Sequence, residues 1–211
     1  IFSPSTGIFD SHSYIYSLSR DFQSQGGNIL LGNETLDVTK SKNGFEILVE
    51  DKNTNHKFLV ISKVLVNSAG LNAVHIANLI NDTNNYEEEY VKGEYYTYLG
   101  KEKLGSLIYP TPTENSLGLH ATIDLGKGIR FGPSAFIVDE IDYSLSKDQK
   151  LNFVEAVQTY WPGIKGEDLA PGYSGIRPKL KGIKDFVVDS GAVSNAQYVN
   201  VLGYASPGLT S

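Results

Sequence analysis

Apolar residues first recur at a spacing of four: Tyr14, Leu18 and Phe22 form one stripe, Asp10 or Ser11 can cap it, and Gly26-Gly27 can end it. This predicts a helix running to Gln25. A short apolar run, Asn28 to Leu31, reads as a buried strand. The period then shortens to two. Thr35 to Lys40 and Phe45 to Asp51 alternate around Lys42-Asn43-Gly44, which predicts a hairpin, and Phe58 to Ile61 supplies a third strand. Val64-Leu65-Val66 is continuously apolar, the pattern of a strand buried on both faces. It enters Asn67-Ser68-Ala69-Gly70 and then a predicted helix from Leu71 to Ile80. Strand, small-residue turn and helix in that order is the grammar of a crossover in a parallel sheet.

From Tyr90 onward, short strands crowd together: Glu94 to Leu99, Ser106 to Pro110, Gly118 to Leu125 and Ile129 to Gly132, with a turn at Gly126-Lys127-Gly128. This reads as an antiparallel sheet. Ser146 to Tyr160 is a predicted helix, capped by Ser146, facing inward with Leu151, Val154 and Val157, and stopped by Pro162-Gly163. Strands return at Gly172 to Leu180, Phe186 to Asp189 and Tyr198 to Tyr204. Ser206-Pro207 then carries a helix-start signature, with Ser at N-cap and Pro in the first turn. The order predicts an α+β fold in which an antiparallel-sheet domain with a flanking helix is inserted into part of an α/β domain. The expected segments are 1–85, 86–172 and 173–211.

Charge and composition remove several classes. The 211 residues carry a net charge of −6 with no basic cluster, which argues against nucleic acid as a partner. No run approaches the roughly 20 apolar residues of a membrane helix, so no integral membrane segment is expected. Cys is absent, which excludes disulfides, thiolate catalysis and Cys-ligated zinc. The four His, at 12, 56, 75 and 120, show no helical metal spacing, and no metal is expected. The acidic run Glu87 to Glu89 reads as a solvated strand end or loop. The chain opens on Ile1 rather than Met, which suggests that it begins inside a longer gene product.

Four patterns can carry chemistry. Along Leu119 to Leu125, alternation puts Ala121, Ile123 and Leu125 on one face and His120, Thr122 and Asp124 on the other, toward either water or a polar pocket. In Gly175-Ile176-Arg177-Pro178-Lys179, Pro178 implies an edge or strand end. Arg177 there suits either bidentate carboxylate binding or a surface salt bridge. Tyr95, Tyr96 and Tyr98, with Tyr109, serve either cross-strand packing or a pocket wall. The turns Asn67 to Gly70 and Ser206 to Thr210 each put backbone N–H groups at a helix start, as an anion site or as ordinary βα turns. His12 sits at a helix start, where a structural role is the simpler reading. No G-x-G-x-x-G and no P-loop occurs.

An ordered set of segments carries a resemblance. Thr6-Gly7-Ile8-Phe9-Asp10 with the helix and Gly26-Gly27, VLVNSAGL (64–71), KGEYYTY (92–98), LIYPTP (107–112), LGLHATIDLG (117–126), RFGPS (130–134), YWPGI (160–164), YSGIRPKL (173–180) and ASPGLTS (205–211) together span nearly the whole chain. The set resembles the FAD-dependent oxidoreductases of the D-amino-acid oxidase superfamily, most of all the L-2-hydroxyglutarate dehydrogenase branch. The resemblance implies a substrate-binding antiparallel domain (86–172) within part of an FAD-binding domain. The family's N-terminal βαβ unit is expected before Ile1 and its final helix after Ser211.

It further implies oxidation of a 2-hydroxy acid to the 2-oxo acid with hydride transfer to FAD. The partners would be a small-molecule carboxylate substrate and an electron acceptor of unspecified class. His120, on the polar face, is the expected base for the hydroxyl proton, since a neutral imidazole suits that role near pH 7. The resemblance assigns Arg177 to the carboxylate and Tyr95 to substrate orientation. It assigns Asn67, Ser68, Ala69, Gly70, Leu71, Gly175, Ser206, Pro207, Gly208, Leu209 and Thr210 to the cofactor. Two alternatives stand beside it: an amino-acid or amine oxidase of the same superfamily, and a non-catalytic β-rich binding module.

Overall fold

The computed structural model describes residues 1–81, 86–111, 118–146, 148–193 and 195–210. Pro112, Leu117 and Ser211 of the quoted motifs, and Lys147 of the predicted third helix, lie outside the described residues. In chain order the elements are α1 (Ser11–Ser24), β1 (Asn33–Ser41), β2 (Gly44–Asp51), β3 (His56–Ser62), β4 (Val64–Asn67), α2 (Ala73–Ile80), β5 (Glu88–Tyr98), β6 (His120–Ile123), β7 (Ile129–Gly132), β8 (Phe136–Val138), α3 (Lys150–Gln158), β9 (Leu169–Leu180), β10 (Val187–Val193) and β11 (Ala196–Leu202). The fold is α+β with mainly antiparallel sheets, as the residue pattern predicts. Two compact units divide it: residues 1–26 with 91–176, and residues 27–90 with 177–211. No helix among the described residues is long and apolar enough to cross a membrane.

The unit of residues 27–90 and 177–211 is built on two three-stranded sheets, β1-β2-β3 and β10-β11-β4. Ser41 pairs with Gly44, which leaves Lys42-Asn43 as a two-residue hairpin loop. Gly44 is required: its φ is +131°, and an added Cβ would sit 2.2 Å from the Ser62 carbonyl oxygen of the neighbouring strand. Alternation along β2 buries Phe45, Ile47 and Val49 together with Ile76, Ile80 and Tyr198. The adjoining face of α2, Ala73, Val74 and Ala77, packs with Leu180 and Leu202. A short helix apolar on two sides is stable because packing replaces the propensity that its length cannot supply.

β11 is the hinge of the second sheet. It pairs antiparallel with β10 and parallel with β4, with Asn200 opposite Asn67. The parallel pairing read from the sequence is present, but burial on both faces is not. Val64 and Val66 are more than half exposed, so one face of β4 is open in this chain.

The unit of residues 1–26 and 91–176 carries the antiparallel sheet β6-β7-β5-β8, with β9 also pairing to β5. Tyr96, Phe131 and Ala121 lie in register across β5, β7 and β6 and form one buried row. Phe153 and Val157 of α3, with Ile164 and Leu169, complete that core. The Tyr96 and Phe153 ring centroids are 4.5 Å apart. Burying side chains of this size stabilises by about 1.5–3 kcal/mol each.

Several local expectations fail for identifiable reasons. Residues 28–31 form no strand, and Leu31 is 83% exposed, because the chain turns at Gly32 instead of finding a ladder partner. α1 begins where predicted, with the Asp10 carboxylate accepting from the Ser13 N–H at 3.0 Å. Its stripe of Tyr14, Leu18 and Phe22, however, is exposed, since none of its residues is buried against another element. Residues 106–110 contribute one bridge, Ile108 to Ala121, rather than a strand. α3 starts at Lys150, not Ser146, and Leu151 faces outward while Phe153 and Val157 face in. Ser206-Pro207, read as a helix start, leads into a 3₁₀ turn, Gly208–Thr210, at the end of the described residues.

Candidate functional site

In the first unit, the residues that alternate with the buried row form a polar face. His120 pairs with Gly132, and Thr122 with Arg130, while Arg130 pairs with Thr97. Tyr95 lies against Gly132, where an added Cβ would fall 2.6 Å from the Tyr95 ring. The missing side chain at Gly132 thus brings Tyr95 and His120 to either side of one backbone position. His120 is half-buried, and its ring centroid lies 4.1 Å from that of Tyr109. The predicted alternation holds in part: Ala121 is fully buried with His120 and Thr122 on the other side, but the strand ends at Ile123, which is only half-buried, and Leu125, expected on the core face, is 60% exposed.

A cleft of about 800 Å³ opens on this face. Tyr95, Arg130, Tyr173 and residues 122–126 line it from the sheet, and residues 8–12, including His12, line it from the start of α1; His120 is not among the lining residues. Tyr95 and Tyr173 stack with centroids 4.6 Å apart and planes 13° from parallel. The Arg130 guanidinium lies 5.4 Å from the centre of the Tyr173 ring and pairs with Asp124 at 3.1 Å. Asp10 is already engaged at the edge. The Ser13 N–H and hydroxyl hold its carboxyl below the usual carboxylate range, with His12 adding to the effect.

In the second unit, the parallel register of β4 and β11 does the positioning. Both strands end on the same side of the sheet, so the 68–72 and 203–210 segments leave from one edge. The buried Asn67 locks that edge. Its amide nitrogen donates to the Ala73 carbonyl at 2.8 Å and to Asn200 Oδ1 at 2.9 Å, and its oxygen accepts from the Ala69 N–H at 3.2 Å. Ser68, Ala69 and Gly70 are exposed, and Gly70 takes a φ of +59° with open space where a Cβ would stand. Leu71 is half-buried; its carbonyl faces the Tyr90 hydroxyl at 3.5 Å, and that hydroxyl donates to Glu88 at 2.6 Å. The Glu88 bond and burial push the Tyr90 phenol up to about 12. In the 206–210 segment the Gly208 N–H is satisfied by the Ala205 carbonyl at 2.6 Å.

Arg177 lies near the end of β9 and is half-buried, in keeping with the strand-end expectation for the residue before Pro178. It belongs to the second unit, whereas His120, Tyr95 and Gly175 belong to the first. Gly175 borders open space. Arg130 and Tyr173 were not singled out from the sequence. The usable signal was register: once Ile129 to Gly132 is paired with His120 to Ile123, Arg130 must share the face of Thr122.

The sequence profile of the family described as FAD dependent oxidoreductase matches residues 1–211. The mitochondrial L-2-hydroxyglutarate dehydrogenase of Arabidopsis thaliana is 32% identical over 257 residues, covering 100% of this chain and 53% of its own. A glycerol 3-phosphate dehydrogenase of Caloramator mitchellensis is 28% identical over 218 residues, covering 100% of this chain and 43% of its own. Among solved structures, the dithionite-reduced L-alpha-glycerophosphate oxidase of Mycoplasma pneumoniae with FAD bound superposes with a TM-score of 0.75 at 22% identity, over 92% of this chain and 50% of that one. The chain spans about half the length of the curated relatives it matches.

Proposed function

Because the chain belongs to the FAD dependent oxidoreductase family, we propose that it is part of a flavoenzyme that oxidises a 2-hydroxy acid, of the 2-hydroxyglutarate type, to the 2-oxo acid. The observation that carries this reading is the parallel register of β4 and β11, which presents two small-residue turns at one sheet edge. Crevices beyond the carboxyl ends of parallel strands are where such folds take nucleotide cofactors. The residues fit the group: Ser68, Ala69 and Gly70 are exposed, Gly70 leaves room for close approach, and the exposed Val66 offers an apolar wall beside them. Asn67 to Leu71 and Ser206 to Thr210 would hold part of FAD, and Gly175 would border it. FAD, when bound, supplies the acceptor for the hydride leaving the substrate's C2.

The chain's own residues do the rest. An imidazole nitrogen of His120 takes the hydroxyl proton, a transfer that contributes about 10²- to 10⁴-fold to rate when well placed. Arg177 receives the carboxylate, for which its planar fork is suited. Tyr95, fixed by its stack on Tyr173, orients the substrate through its hydroxyl.

The test uses the full-length protein with FAD. His120→Gln should cut kcat about 10²-fold or more while flavin absorbance is retained. Arg177→Gln should chiefly raise KM for the 2-hydroxy acid. Undiminished turnover of an amine substrate in His120→Gln would move the assignment to amine oxidation, which needs no base for a hydroxyl proton. Full-length protein that stays colourless with added FAD would remove the flavoenzyme reading altogether.

A further inference from the structure

We infer that Arg130 is a specificity-determining residue, receiving a second anionic group at the far end of the substrate. The inference deepens the proposed function and rests on it.

The argument starts from how Arg130 is held. One terminal nitrogen, Nη2, meets Asp124 Oδ2 at 3.1 Å. Asp124 is itself fixed, because its Oδ1 accepts the Gly128 N–H at 2.8 Å across the Gly126 to Gly128 turn. From the other side the Tyr173 ring approaches the guanidinium, and Tyr173 is in turn stacked on Tyr95. A guanidinium carries five N–H donors in a rigid fork. The Asp124 contact engages one edge of that fork; the side chain is 39% exposed, and Arg130 lines the cleft. A cation made rigid by a carboxylate at its edge and an aromatic ring at its side loses little freedom on taking a second anion.

Position supports the same conclusion. His120 and Arg130 lie on adjacent strands, two positions apart in register and on one face. Strand geometry then separates their backbones by roughly 8 Å, two residues along and one strand across. A short-chain acid whose C2 hydroxyl reaches His120 can extend a terminal anion to Arg130. Arg130 supplies the cleft's one guanidinium among the described lining residues, and the Asp10 carboxylate at the rim is committed to the Ser13 N–H and hydroxyl. The fork matches a carboxylate or a phosphate equally well. The expected substrate class is therefore a short hydroxylated dianion.

The experiment compares three substrates with the full-length FAD-loaded protein: 2-hydroxyglutarate, 2-hydroxypentanoate of the same chain length without the terminal charge, and glycerol 3-phosphate. Wild type should favour one dianion over 2-hydroxypentanoate at least about tenfold in kcat/KM, and which dianion identifies the terminal group. Arg130→Gln should lower kcat/KM for that dianion about 10- to 100-fold, mainly through KM, and change the value for 2-hydroxypentanoate less than about threefold. Because Arg130→Gln bares Asp124, the double variant Arg130→Gln/Asp124→Asn removes both charges, and the selective loss should persist in it. Equal losses on charged and uncharged substrates, or recovery of the dianion in the double variant, would overturn the inference and leave the proposed reaction standing. Wild-type turnover without preference overturns it as well, and turnover of none of the three overturns both readings.

Discussion

Replacing Asn67 tests the architecture of the proposed cofactor edge most directly. Its side chain makes three hydrogen bonds, to the Ala69 N–H, the Ala73 carbonyl and Asn200, and is 3% exposed. Asn67→Ala removes all three, each worth about 1 kcal/mol net, and strands Asn200 Oδ1 in a fully buried position at a further cost of about 1 kcal/mol or more. The expected loss is about 4 kcal/mol or more, a large share of the 5–15 kcal/mol typical of a domain. Asn67→Asp should be worse. It sets a carboxylate oxygen against two acceptors at 2.8 and 2.9 Å. Rotating the Asn200 amide cannot rescue it, because its nitrogen now donates to Asp189 at 3.2 Å and a flipped oxygen would face that carboxylate. Urea unfolding of the full-length protein, followed by circular dichroism, gives the stabilities of Asn67→Ala, Asn200→Ala and the double variant. The cycle should return a coupling of about 1–2 kcal/mol. Flavin affinity of Asn67→Ala should fall about tenfold, since the 68–71 turn loses its anchor, an effect of about 1.4 kcal/mol. Additivity within about 0.3 kcal/mol, or Asn67→Asp matching Asn67→Ala at neutral pH, would refute the reasoning.

Two further outcomes follow from the first unit. Gly132→Ala should destabilise by about 2–4 kcal/mol, visible as a lowered Tm, because φ is +146° and the new Cβ would lie 2.7 Å from the Glu94 carbonyl; a Tm equal to wild type contradicts this. Asp142 is held down to about 2 from 3.8 by the Ser144 hydroxyl, then the Ser144 N–H at 2.9 Å and Lys92 at 3.3 Å. A lowered carboxyl pKa stabilises the fold above the ordinary value and loses that contribution as pH falls. Wild-type stability should therefore drop between about pH 4 and pH 2, and Asp142→Asn should flatten that limb; parallel titration curves for the two proteins would count against the assignment.

The parts of the fold that were legible are those decided by neighbours in sequence. The Lys42-Asn43 loop, the buried alternation of Phe45, Ile47 and Val49, and the turn after β4 are local grammar, and the chain obeys it. Where a distant group intervenes, local rules lose. Ser146 is a good cap, yet its N–H and hydroxyl both donate to Glu94 Oε1, at 2.9 and 2.8 Å, from 52 residues away, and the helix starts later. β5 shows the same override. Lys92 and Glu94 share the inward side with Tyr96, so polarity alone points the strand the wrong way round. The two are 3.9 Å apart, and a buried charge is tolerated only when such partners are present. An apolar stripe states which side of α1 would be buried; it cannot supply the element that buries it.

The site obeys the same division. Alternation was enough to place His120 opposite a buried Ala121, because that is a property of one strand. Arg130 needed a second strand and its register, and register is set by the row Tyr96, Phe131 and Ala121, whose large rings cannot be slipped by one residue without exposing Phe131 and burying Arg130. The packing of the core side thus dictates which polar groups meet on the other. The chemistry proposed for the cleft therefore depends on residues that never touch a substrate, and the row that fixes it is the same one that holds the unit together.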